Sequence, residues 1–133
     1  GVARGGWKPE IHKDTDKMAT YMDVKEGSWF DIPLGALQLD NIGNLYAAGR
    51  MISADEAAFA AVRVMETCFA TGHSAGVAAA VQAEYGEADI RKIRAELDRQ
   101  GALLIEDILV CRSYMLIVRE EKSYDIGRST CRY

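Results

Sequence analysis

The sequence predicts an α/β fold of mixed character: short strands first, then a long helix, then a shorter amphipathic one. Three observations carry this. Leu45 to Ala48 form a compact apolar run closed by Gly49-Arg50, and short apolar runs bounded by turn residues read as strands buried on both faces. Beyond Ser53-Ala54-Asp55 lies an alanine-rich region in which Phe59, Val62, Met65 and Phe69 recur at helical spacing. Asp89 then precedes Ile90, Ile93 and Leu97, a one-faced helical pattern stopped by Gly101.

Residues 1 to 33 are polar and irregular, with Gly5-Gly6, Lys8-Pro9 and a charged run from His12 to Lys17. Strands are expected at Trp7 to His12 and Trp29 to Ile32, each ended or interrupted by a turn residue or proline. Apolar residues nearly alternate from Leu34 to Leu39, and Asp40-Asn41 with Gly43 supplies a turn. Asn44 to Ala48 is then the expected central strand. The long helix is expected from about Arg63 to Glu84, closed by Tyr85-Gly86. Along it Gly72, Gly76 and Ala80 form a ridge almost without side chain. Interior glycine costs roughly 1 kcal/mol against alanine, so this ridge reads either as close packing or as ligand contact. Past Gly101, Leu103 to Ile105 and Ile108 to Val110 suit an amphipathic helix, Tyr114 to Val118 a strand, and Lys122 to Tyr133 a polar terminus.

The 133 residues make one ordinary domain, and 49% hydrophobic content is enough for a core. A net charge of -4 without any basic cluster excludes nucleic acid as a partner class. Cys68, Cys111 and Cys131 are odd in number and widely spaced, which suggests neither a disulfide framework nor zinc. Two histidines are too few for a histidine-rich metal centre, so no metal is expected. The apolar stretch from Ala57 to Ala83 is interrupted by Arg63, Glu66 and His73, which rules against a membrane span. With no leader pattern at the start, the expected location is cytoplasmic.

Several motifs in order resemble a known family. Asp31-Ile32-Pro33, then Asn44-Leu45-Tyr46-Ala47-Ala48-Gly49-Arg50-Met51-Ile52-Ser53, then Val62-Arg63-Val64-Met65 and Thr67-Cys68 leading into Gly72 and Ala75-Gly76, look like the C-terminal part of an FAD-dependent oxidoreductase. Fumarate reductase and succinate dehydrogenase flavoproteins are more distant relatives. Ala3 to Trp7 with Ile11-His12 resembles a strand of the substrate-side sheet. The resemblance spans Gly1 to Ala102 and implies a division into strands and loops of that sheet (1–33), the completing part of an FAD-binding Rossmann-like domain (34–102) and an extension of unknown role (103–133).

The same resemblance implies a cofactor site. Gly49 and Arg50 would lie by the flavin ribityl and pyrophosphate, with Ser53 in the same motif. Many relatives carry an acid where Arg50 stands, so its contact is to phosphate, to a ribityl hydroxyl, or only to a surface ion-pair partner. Arg63, Val64 and Met65 would begin the helix whose N–H groups and dipole face the flavin pyrimidine, where negative charge develops on reduction. Arg63 either adds a full charge there or pairs with Glu56 or Glu66. His12 is the candidate catalytic acid or base, set against a solvated loop histidine beside Asp14 and Asp16. His73 reads as a packed or partly exposed helix residue.

The strand, G-x-G-x-x-G turn and helix that normally grip the pyrophosphate have no counterpart in these residues. The expected FAD site is therefore incomplete. Its partner would be an N-terminal portion or complementary flavoprotein subunit, with a homo-oligomer as a further arrangement, and the chain alone would be inactive. The competing expectation is a cofactor-free α/β binding or oligomerisation module derived from that fold.

Overall fold

The computed structural model describes residues 1–12, 18–22, 25 and 27–104. The elements expected beyond Leu104 lie outside these residues. Three antiparallel strand pairs and three helices make up the regular structure of the described residues.

The first pair joins β1 (Ala3–Gly5) to β4 (Phe30–Ile32), with Ala3 opposite Ile32 and Gly5 opposite Phe30. Val2 extends it, its N–H donating to the Ile32 carbonyl at 2.8 Å. The second joins β2 (Glu10–Ile11) to β3 (Thr20–Tyr21). The expected strand from Trp7 shrinks to two residues because Pro9 has no N–H to give to a ladder. Pro33 ends β4, and Leu34–Ala36 coil into a single 3-10 turn where the alternation suggested a continuing strand.

The third pair corrects the central strand. β5 (Gln38–Leu39) and β6 (Ile42–Tyr46) form a hairpin with a register shift at Gln38/Leu39. β6 starts two residues before the expected Asn44, and its residues 42–45 are exposed. One face meets the long helix, while Ile42 and Leu45 remain 47% and 46% exposed. The apolar run read as doubly buried because periodicity reports hydrophobicity alone; among the described residues nothing covers its second face. Ala47 and Ala48 leave the strand, the Ala47 N–H turning to the Leu37 carbonyl at 2.7 Å.

The alanine-rich region folds as two helices, the second close to the expected long one. α1 (Glu56–Val62) is capped by Asp55, whose carboxylate accepts the Ala58 N–H at 2.8 Å. Arg63 ends it, Val64 is extended, and α2 runs Met65–Tyr85. No glycine or proline marks this break. It rotates the register, so Met65 and Phe69 are 72% and 75% exposed although Val62 is buried. The buried face of α2 is instead small: Thr67, Thr71, Ser74, Ala75, Val77, Ala78 and Val81. Gly72, Gly76 and Ala80 face outward, and a Cβ on either glycine would meet nothing within 4 Å. The ridge therefore packs against no described residue.

Gly86 closes α2 at φ 80°, where a residue without Cβ is unstrained. Asp89 caps α3 (Ile90–Arg99) as expected, accepting the Arg91 N–H at 2.8 Å, and that bond holds its carboxyl below the ordinary range. Ile93 and Leu97 are fully buried against the core of Val2, Ile32, Leu37, Val62, Ala78 and Val81. Ile90 stays 40% exposed.

Leu97→Ala should cost about 2–5 kcal/mol in urea unfolding, the range for emptying a buried leucine site. Ile90→Ala on the same helix should cost less than about 1 kcal/mol, since much of its surface already meets water.

Candidate functional site

Gly49 sits at the turn from β6 into a 3-10 segment, Gly49–Met51. Its φ is 63°, a conformation that costs L-residues about 1–2 kcal/mol. A Cβ there would lie 3.3 Å from the Cys68 sulfur. The Gly49 N–H donates to Thr71 Oγ1 at 2.9 Å. Thr71 Oγ1 in turn lies 3.0 and 3.1 Å from the Thr67 and Cys68 carbonyl oxygens. The loop is thus pinned to the first turns of α2.

That helix begins without a side-chain cap. Val64 stands at the N-cap and offers no acceptor, and the Cys68 N–H to Val64 carbonyl bond, 2.9 Å, is the first of the helical ladder. Helical geometry leaves the N–H groups ahead of it without intrahelical partners, at the positive end of 21 residues. Arg50 is exposed beside them and has no ion pair among the described residues. Met51 and Met65, 77% and 72% exposed, add an apolar surface to the same end. Glu66 in the first turn opposes an anion there. This end thus combines N–H groups without intrahelical partners with exposed cationic and apolar side chains.

Of the residues singled out in the sequence, Gly49 is brought against the first turns of α2, at Cys68 and Thr71, with Arg50 following it in the same 3-10 turn. The Ser53 backbone N–H donates to the Ala36 carbonyl at 2.9 Å. Arg63 is not in the first turn; it ends α1, and its guanidinium reaches β2. Nη2 donates to the Glu10 carbonyl at 3.1 Å and lies 3.6 Å from the Glu10 carboxylate. The expected partners Glu56 and Glu66 are replaced by Glu10. His12 Nε2 is 3.4 Å from the same carboxylate, with 62% of its side chain exposed. Tyr21 donates to it at 3.0 Å, and this bond with the Glu10 charge pushes the phenol up from its ordinary value. His73 is an exposed helix residue 2.6 Å from Gln100 Oε1.

Sequence reasoning missed Glu10, Tyr21, Cys68 and Thr71. Glu10 and Tyr21 meet only through strand pairing of a two-residue ribbon, which left no periodic signal. Thr67 and Thr71 did leave one: two threonines four apart in an alanine-rich helix mark a face that must find acceptors and donors.

A family model described as FAD dependent oxidoreductase matches residues 1–100. The chain belongs to that family. FAD is accordingly its family cofactor. No curated protein and no solved structure matches the chain. Among the described residues no helix is long and apolar enough to cross a membrane, and no group of three ligating side chains is placed to hold a metal ion.

Gly49→Ala should destabilise the fold by about 1–2 kcal/mol, through backbone strain and the close sulfur. In a Cys68→Ala background the penalty should shrink but persist, because only the contact is relieved; thermal melts of the four proteins form the cycle.

Proposed function

We propose that this chain is the C-terminal portion of an FAD-dependent oxidoreductase and supplies one end of the cofactor site together with part of the substrate pocket. The observation that carries the reading is the Gly49–Thr71 bond, which ties the strand-end glycine that precedes Arg50 to the first turns of the uncapped α2. A family match over residues 1–100 supports it. FAD, when bound, supplies the acceptor for a hydride. The chain's own part is electrostatic: N–H groups at Val64–Met65 attract the electron-rich edge of the ring, and Arg50 attracts phosphate.

His12 is the candidate acid or base, and Arg63 acts from α1 at longer range with its charge partly offset by Glu10. A Rossmann-like completion of the fold, with 1–33 as substrate-side sheet, 34–102 as cofactor domain and 103–133 as an added segment, agrees with this reading. So does a cytoplasmic location, given the free thiol of Cys68. The exposed β6 edge and the outward Gly72–Gly76 ridge suit an upstream portion, or a complementary subunit, that carries the missing G-x-G-x-x-G grip. A cofactor-free module, self-associating through the same surfaces, is the competing reading.

Purified chain mixed with FAD and desalted should retain no stoichiometric flavin by absorbance. Retention of one flavin per chain would overturn the half-site. Adding the upstream portion in trans should restore binding; a failure to restore it favours the cofactor-free module. In the restored protein Arg63→Ala should lower the flavin potential by on the order of 10–30 mV, the two-electron equivalent of up to about 1.4 kcal/mol. An unchanged potential removes Arg63 from the site.

A further inference from the structure

One turn into α2, Phe69 forms the wall of an open groove of about 680 Å³. Arg4, Gly5, Gly6, Trp29 and His73 line it as well, and its surface is mostly apolar. Gly5 and Gly6 add backbone to its lining, and Trp29 and Phe69 add aromatic surface.

Arg4 is the charged group on this surface, and its bonding is incomplete. Nε and Nη2 are buried and have no hydrogen-bond partner among the described residues. These two nitrogens form the side-on fork of the guanidinium, the edge that fits both oxygens of a carboxylate. Asp31, opposite it in the strand pair, reaches only to 3.5 Å from Nε. The Trp29 ring lies across the group with its centroid 5.3 Å from Cζ. An aromatic face and a distant carboxylate offset the charge, yet neither accepts the two N–H bonds, and a buried unsatisfied donor destabilises the fold until a partner arrives.

We propose that the groove binds a small apolar carboxylate, with the carboxylate on the Nε–Nη2 edge of Arg4 and the apolar part along Trp29 and Phe69. The fork selects a planar anion, and the apolar walls select an organic tail over inorganic phosphate. Trp29 follows the Gly27-Ser28 turn and is 36% exposed. It lies over the guanidinium at the groove, so the ligand displaces its ring to reach the fork, and Trp29 is the natural reporter. Flavin plays no part in this binding.

The test uses the full chain with Trp7→Phe, so that Trp29 alone emits. 3-Phenylpropanoate should change its fluorescence saturably, while 3-phenylpropanamide and inorganic phosphate should bind at least about tenfold more weakly. Arg4→Gln should weaken the carboxylate by at least about tenfold at unchanged circular dichroism. Asp31→Asn keeps Arg4 and removes the rival carboxylate, and should tighten binding by about threefold or more. Equal affinity for acid and amide, absence of saturation, or Arg4→Gln that folds yet binds as before overturns the site. Should Arg4→Gln not fold, Asp31→Asn decides, and no tightening overturns it.

Discussion

The described structure depends on one narrow face of α2, where Thr67, Thr71 and Ser74 are buried among alanines. Buried hydroxyls must find partners, and these find them in two different parts of the chain. Ser74 Oγ lies 2.6 Å from the Val2 carbonyl, and Thr71 Oγ1 accepts from Gly49. Alanine-on-alanine contact around them is smooth and would permit sliding along the helix. The directional bonds prevent it. They fix β1 and the Gly49 loop at separate heights on one rod, and every later feature is measured from that rod.

Much of this was legible in the residues, and the exceptions have identifiable causes. α3 was readable because Asp89, Ile93, Leu97 and Gly101 state cap, face and stop in local sequence. The end of α2 was readable for the same reason at Gly86. The break before α2 was not, because Arg63-Val64 contains no helix breaker; Arg63 instead finds acceptors on β2, a tertiary bond to Glu10 that no local pattern encodes. The Phe59-Val62-Met65-Phe69 spacing was real but straddled that break, so it described two faces as one. The β6 misreading has the opposite origin: apolar content was taken for burial, whereas burial depends on what else is present.

The candidate site divides in a corresponding way. Gly49, Arg50 and the helix start were adjacent in a motif and are adjacent in space. Arg63 and His12 were assigned separate roles, yet both stand at Glu10, joined there by Tyr21. One carboxylate thus links the strand ribbon to the end of α1. Local motif reading follows residues along a single chain segment, and it missed the contacts at Glu10, which join strands far apart in sequence.

The Ser74–Val2 bond spans 72 residues. During synthesis β1 leaves the ribosome long before α2 exists. At about 5–20 residues per second, Val2 waits roughly 4–14 s for Ser74. Through that interval its strand partner among the described residues is β4, itself thirty residues away, so β1 is made well before the helix that secures it. Anything that slows translation between Pro33 and Ser74 lengthens the time the β1–β4 pair waits for its helix, and the pace of decoding becomes part of how this chain reaches its fold.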